Sequence, residues 1–339
     1  MTQPAAPPAT GQAGDPTTGL IFARVCDGRG GARPIAWDDC AHWQPTNPRE
    51  TLWLHIDRTV DSVEPWLIGE LGFSEATAEA LVTDETRPRA FREGDALVTV
   101  LRGINFNPNA EPEDMITLRM WANHHRVLTL RRRPLQTPQD ILMLLDRGTG
   151  PHTTGDLVTE IIEQLVAKIG GSILDMNDKI DRLEAGDDGL GTDETLTVIA
   201  TIRRNCLGLK RHMSPQHEAL EQIGRNPPKW LSENNCRDIR ETIDRLKRYL
   251  EDLDVSKESA IVLQDDLNNR ANARANRTIY LLSVAAAIFL PLGFVTSLLG
   301  VNVGGIPGVG HPLGFWILIA ALAALVAAQL AIFRWLKWL

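Results

Sequence analysis

The chain has 339 residues, a formal net charge of −8 and a charged fraction of 23%. An acidic chain of this kind is a poor partner for nucleic acid and a mild attractor of cations. Its four cysteines, Cys26, Cys40, Cys206 and Cys236, form no CxxC pair, which argues against a zinc-finger pattern and fits a reducing compartment.

Residues 1–19 are rich in Pro, Ala, Gly and Thr, with Asp15 as the only charge. They have no basic stretch followed by an apolar core, so they read as a disordered tail and not as a secretory signal. Residues 20–150 are expected to form a cytoplasmic α/β domain. Leu20–Cys26, Thr51–Asp57, Ala96–Phe106, Met115–Asn123 and Val127–Arg131 read as strands, alternating or continuously apolar. Ser62–Leu71, Glu75–Val82 and Pro138–Leu145 carry helical spacing, and Asp84–Pro88 breaks the pattern. The elements interleave without a strict βαβ repeat, which predicts a mixed or antiparallel sheet. GxGxxG, P-loop and GxSxG motifs are all missing, so nothing marks an enzyme.

Residues 151–234 are expected to form a helical hairpin region. Thr154–Leu183 places Leu157, Ile161, Leu165, Ile169, Ile173, Met176, Ile180 and Leu183 at steps of three and four, the spacing of one helix face. Asp193–His212 is the return helix, with Pro215 and Pro227-Pro228 as further breaks. Residues 235–277 read as a stalk helix. It meets no Gly or Pro before Pro291, so it is expected to run on for about 65 residues, roughly 95 Å.

The solvent then changes. Thr278–Phe333 contains no Asp, Glu, Lys or Arg in 56 residues. A bilayer core takes about 20 apolar residues as helix, so 278–299 and 313–333 are expected to be two transmembrane helices. The turn-rich stretch 300–312 becomes the loop between them, and 334–339 a short C-terminal end. Arg270, Arg274 and Arg277 precede the first span, Arg334 and Lys337 follow the second, and the loop has neither Lys nor Arg. By the positive-inside rule both ends face the cytoplasm and the loop faces outside.

Asp265, Asn269, Asn272 and Asn276 recur at steps of four, three and four along the end of the stalk. The same stripe continues through Ile279, Ser283, Leu290 and Ser297. It passes from carboxylate to amide to small or apolar groups, while the arginines segregate to another face. That pattern suits a pore wall. One hairpin cannot enclose a channel, so a pore requires a ring of identical subunits. Each stripe position then becomes a ring of equal groups, with Asp265 concentrating cations and asparagines offering carbonyl oxygens.

These features resemble the CorA-type metal-ion transporters, and within them the ZntB zinc-transporter branch. Gly300-Val301-Asn302 matches the Gly-Met-Asn signature at its first and third positions. Gly304-Gly305-Ile306-Pro307-Gly308, Asp84-Glu85-Thr86-Arg87-Pro88-Arg89 and the terminal Lys337-Trp338-Leu339 resemble the ZntB branch. The resemblance spans about Leu20 to Leu339. It implies a homopentameric funnel in the bacterial inner membrane, with the first span lining the pore. Gly300, Val301 and Asn302 would form the selectivity filter, Asn302 holding a hydrated divalent cation. Asp265, Asn276, Ile279, Leu290 and Gly293 fall at pore-facing positions of the family. The transported ion would be Zn²⁺, with a proton gradient as a candidate driving force. The loop has no carboxylate, and His311 is its only titratable side chain, which makes His311 the mouth residue.

Other candidates are weaker. His124-His125 read as a hairpin turn and Gly186–Glu194 as an acidic linker, while Cys206, His212 and His217 suit zinc by type but do not keep one helical face, with Pro215 between the histidines. Two alternatives stay open: a CorA-like channel for magnesium, cobalt or nickel, and a two-span membrane-anchored sensor that transports nothing.

Overall fold

The computed structural model describes residues 17–111, 113–186, 189–300 and 311–335. It divides into two units, residues 1–264 and 265–339.

The first unit is built on a seven-stranded sheet. Its strands are β1 (Leu20–Cys26), β2 (Ala32–Pro34), β3 (Thr51–Asp57), β4 (Arg89–Glu93), β5 (Ala96–Gly103), β6 (Ile116–Ala122) and β7 (Arg126–Arg131). They lie in the order β2-β1-β3-β7-β6-β5-β4. Every pair is antiparallel except β3 with β7, where Trp53 is opposite Val127 and Ile56 opposite Leu130. The sheet is thus mixed, as the sequence pattern predicts.

β3 explains why its segment reads as continuously apolar. Leu52, Trp53, Leu54 and Ile56 are all fully buried, so both faces of the strand are covered. On one face Leu52, Leu54 and Ile56 join a core with Val63 and Leu67 of α2 (Val63–Gly69) and Ala78 and Leu81 of α3 (Glu75–Val82). A short α1 (Trp37–Cys40) adds Cys40 to the same core. On the other face Thr51 shares a buried hydroxyl contact of 2.8 Å with Thr154 of α5 (Thr154–Ala185). The result is three layers with the sheet in the middle. The turn between β6 and β7 holds His124 and His125 as a stacked pair, ring centroids 4.5 Å apart. Asn123 Oδ1 accepts from the amides of His125 and Arg126 there, so the histidines belong to a hairpin turn.

After α4 (Gln136–Asp146), three long helices follow: α5, α6 (Thr192–Arg225) and α7 (Glu233–Leu299). α5 ends at Gly186, whose φ of 70° is the left-handed cap that a Cβ disfavours. The expected break at Pro215 is corrected: α6 runs through it. A proline removes one N–H and leaves the carbonyl four residues earlier without its partner. That carbonyl belongs to Arg211, an exposed residue. The next residue, Gln216, is buried and its Oε1 accepts the Arg102 amide of β5 at 2.6 Å. Tertiary contact thus outweighs the local penalty.

The part of α7 within the first unit is tied to both neighbouring helices. Asn235 Nδ2 donates to Asp156 of α5 at 2.8 Å, Ser256 bonds Asn177 of α5, and Lys210 of α6 pairs with Asp254 at 2.6 Å. Its buried positions, Asn235, Ile239, Thr242, Leu246, Leu253, Ser256, Ala260 and Leu263, step by three and four (once by seven), so one face is the seam.

Candidate pore segment

The second unit comprises the rest of α7, from Asp265 to Leu299, and α8 (Gly314–Trp335). Each contains a window long and apolar enough to cross a bilayer, with none of that window buried. Ile279, Leu281, Leu282, Phe289, Leu290, Phe294 and Leu298 on α7 are all exposed, as are Phe315, Trp316, Ile317 and Ile332 on α8. Apolar surface on this scale requires lipid or further protein against it.

The two helices meet along one seam. On α7 the half-buried positions are Val284, Ala287, Ile288, Leu292 and Val295, and on α8 they are Leu318, Leu322, Leu325, Val326 and Gln329, with Phe333 buried. One polar bond lies in it: Gln329 Nε2 donates to the carbonyl oxygen of Ala287 at 3.3 Å. Its acceptor has a local cause. Pro291 sits inside α7, and the N–H it lacks is the one that would have bonded Ala287, four residues earlier. In a membrane an orphaned carbonyl is costly, and a neighbouring helix can satisfy it. Gln329 does so. Sequence reading overlooked this residue; the signal was a single amide within a 22-residue helix otherwise almost free of polar groups.

This pairing predicts a double-mutant result. Gln329→Leu should weaken the hairpin by about 1 kcal/mol, within the range for interhelical polar bonds in bilayers. In a Pro291→Ala background the helix supplies its own donor, so the same change should cost less. Denaturation midpoints in bicelles measure both, and equal costs in the two backgrounds would refute the account.

The predicted stripe lies away from this seam. At about 100° per residue, Ile279, Ser283, Leu290, Gly293 and Ser297 fall within about 40° of one line along α7. Asp265, Asn269, Asn272 and Asn276 stay within about 80° of the same line, while Arg270, Arg274 and Arg277 lie on the far side with most of the seam. All nine stripe residues are exposed. The Ser283 hydroxyl donates to the Ile279 carbonyl at 2.9 Å, leaving its oxygen lone pairs outward. Arg270 is occupied by an ion pair with Asp266 at 2.7 Å.

α7 closes on Gly300, whose amide bonds the Thr296 carbonyl at 3.0 Å. Val301 and Asn302 lie outside the described residues. His311 does not hang free at the start of α8: its Nδ1 accepts the Leu313 amide at 3.2 Å and its carbonyl accepts the Gly314 amide at 3.0 Å. Nε2 is the ring atom left for other partners. Among the described residues no three His, Cys, Asp or Glu side chains group as a metal site, so Cys206, His212 and His217 are not brought together. Burial pushes the Cys206 thiol up to about 11, which makes a thiolate ligand unfavourable.

Comparison with known proteins decides the family. The model of the CorA-like Mg²⁺ transporter proteins matches residues 49–335. The chain belongs to the CorA-like transporter family. The divalent cation transporter CmaX of Pseudomonas aeruginosa is 38% identical over 325 residues, covering 95% of this chain and 97% of that protein. The zinc transport protein ZntB of Pectobacterium atrosepticum is 34% identical over 323 residues, with the same coverage of 95% and 97%. The structure of the full-length CmaX protein superimposes with a TM-score of 0.83, covering 96% of this chain and 100% of that one. The CorA-like architecture of a sheet-bearing N-terminal domain, long helices and two apolar C-terminal helices is therefore the fold. Membership also places the chain among ion transporters of the membrane and not among enzymes.

Proposed function

We propose that the protein is a homopentameric transporter that carries divalent cations, Zn²⁺ foremost, into the cytoplasm across a bacterial inner membrane. The observation that carries this reading is the division of labour on α7. One face supplies the seam to α8 and bears the arginines, and the other presents a run of carboxylate, amide, hydroxyl, glycine and apolar positions that no element among the described residues covers. Five such faces around an axis make a pore wall, and closed rings are the usual form of homo-oligomers. Asp265 then collects cations at the inner end, and Asn269, Asn272, Asn276, Ile279, Ser283, Leu290, Gly293 and Ser297 line the path. Gly300, Val301 and Asn302 form the filter, where an amide oxygen bonds the first-shell water of the ion without stripping it. His311 sits at the mouth. The basic flanks of the two spans favour a cytoplasmic side for both ends of the hairpin. A membrane potential gives a divalent ion about 4.6 kcal/mol inward for each ~100 mV, so uptake has a driving force with or without protons.

Zinc is preferred over magnesium because ZntB proteins resemble the chain across nearly its whole length and because the loop lacks the carboxylates that would recruit a strongly hydrated ion. The test is uptake into proteoliposomes with zinc and magnesium in competition, with a pH gradient imposed or absent. Asn302→Ala is expected to abolish selective zinc uptake while the oligomer persists on size exclusion. Wild-type zinc uptake by that variant would refute the filter assignment. Preference for magnesium would replace zinc with the family's other cargo, and absence of any uptake would favour a membrane-anchored sensor.

A further inference from the structure

The first unit holds a cavity of about 520 Å³ that the transport reading does not use. Its size is within the range of small-molecule sites, about 300–1,000 Å³. It is lined by Arg58, Arg102, Arg119, Arg132, Arg133 and Arg211, against three carboxylates, Asp84, Glu113 and Asp114. Six guanidinium groups facing three acids leave a surplus of three positive charges, in a protein whose net charge is −8. A surplus of that sign, gathered in one concavity of an acidic protein, calls for a counter-anion.

Two features separate this cavity from a solvated basic surface. Arg119, on β6, is fully buried. One of its nitrogens, Nη2, donates to the carbonyl oxygens of Thr83 and Glu85, but Nε and Nη1 have no partner, and neither does Nε of Arg58. Buried donors are normally satisfied, so unpartnered guanidinium edges in a concave site point to a missing acceptor. The second feature is burial of the cationic groups, with mutual repulsion added to it. Burial, followed by Arg58 and Arg89, holds the Arg119 guanidinium down at about 10, and burial with Arg102 and Arg211 holds His212, also on the cavity wall, down at about 4. Asp84 already pairs with Arg58 at 2.7 Å and with Arg132 at 3.4 Å. Arg133 and Arg211 have no carboxylate partner among the described residues.

We infer that this cavity is a binding site for a cytosolic phosphate-class polyanion, recognised through its phosphoryl oxygens. Planar guanidinium forks match phosphate oxygens two at a time. No Phe, Tyr or Trp lines the cavity, and guanidinium donors dominate its wall, so phosphoryl oxygens are the ligand atoms best matched to it. The phosphate chain is what the site selects.

The experiment is calorimetric titration of tripolyphosphate into the full-length detergent-solubilised protein, with EDTA present to exclude metal chelates and chloride at a physiological level. Saturable binding is expected. Arg133→Gln combined with Arg211→Gln should weaken it by about tenfold or more, the loss of two charge-assisted contacts. Both side chains are exposed, so the melting temperature of the unliganded double variant should match the parent. ATP should bind about as tightly as tripolyphosphate. Absence of saturable binding, or unchanged affinity in the double variant, would overturn the site. ATP binding far more tightly than tripolyphosphate would overturn its assignment to the phosphate chain. None of these readings depends on cation transport.

Discussion

Replacing Ser283 with lysine is expected to cut divalent-cation uptake by at least about a hundredfold without preventing oligomer formation. Ser283 lies on the exposed stripe of α7, away from the Gln329 seam. In a ring, each subunit would place one ammonium beside the ion path. A single lysine about 8 Å from a divalent ion costs about 4 kcal/mol at an effective dielectric near 20. At about 1.4 kcal/mol per tenfold, one such charge already implies roughly a thousandfold loss, before those of any further subunits are counted. The control is Leu281→Lys on the far side of the helix. Burying a lysine in lipid costs about 2.5–3.5 kcal/mol of insertion, so this change should lower yield while sparing the uptake of each molecule that does insert. Zinc-sensitive dye inside proteoliposomes, normalised to inserted protein, reads both. Parental uptake by the Ser283 variant would remove the stripe from the pore wall.

A second large effect is expected in the sheet. Trp53→Ala should destabilise the first unit by about 3–5 kcal/mol, the range for emptying an aromatic site in a core. Trp53 is fully buried on β3, meets Phe22 edge-on with centroids 4.8 Å apart, and donates from Nε1 to the Thr129 hydroxyl at 2.9 Å. That hydroxyl donates in turn to the Leu54 carbonyl and lies 2.9 Å from His55 Nδ1. Burial drives His55 down to about 3, so its ring is neutral in the folded protein and the network holds no buried charge. Truncating the indole leaves a cavity and removes a donor from Thr129 together. Urea or thermal unfolding of the purified protein measures the loss, and a change below about 1 kcal/mol would show that the site collapses around the gap.

What could be read from the chain follows from how each segment meets its neighbours. β3 and β5 were legible because strands covered on both faces are predominantly apolar. β4 was missed because it is an edge strand, the last in the sheet order, and Arg89, Arg92 and Glu93 give it the charged composition that edges use against unwanted pairing. β2, at the other edge, is three residues ending in Pro34, too short for a pattern. Pro215 misled because a proline's local cost says nothing about the contacts its helix makes on the sheet. Periodicity alone set the polar stripe on one face of α7, since a helix of 67 residues keeps its phase. The arginine cavity was not legible. Its members come from positions as far apart as Arg58 and Arg211, and only the fold gathers them.

The bond between Gln329 and Ala287 bears on how such a transporter is made. Both partners belong to one polypeptide, so the two spans can find their register as soon as the second leaves the ribosome, before any other copy is present. The hairpin of a single chain therefore has its backbone already satisfied at the proline. Contacts with further copies need not supply that bond. Completion of the helix at its proline is thus independent of association, through one amide and one missing hydrogen.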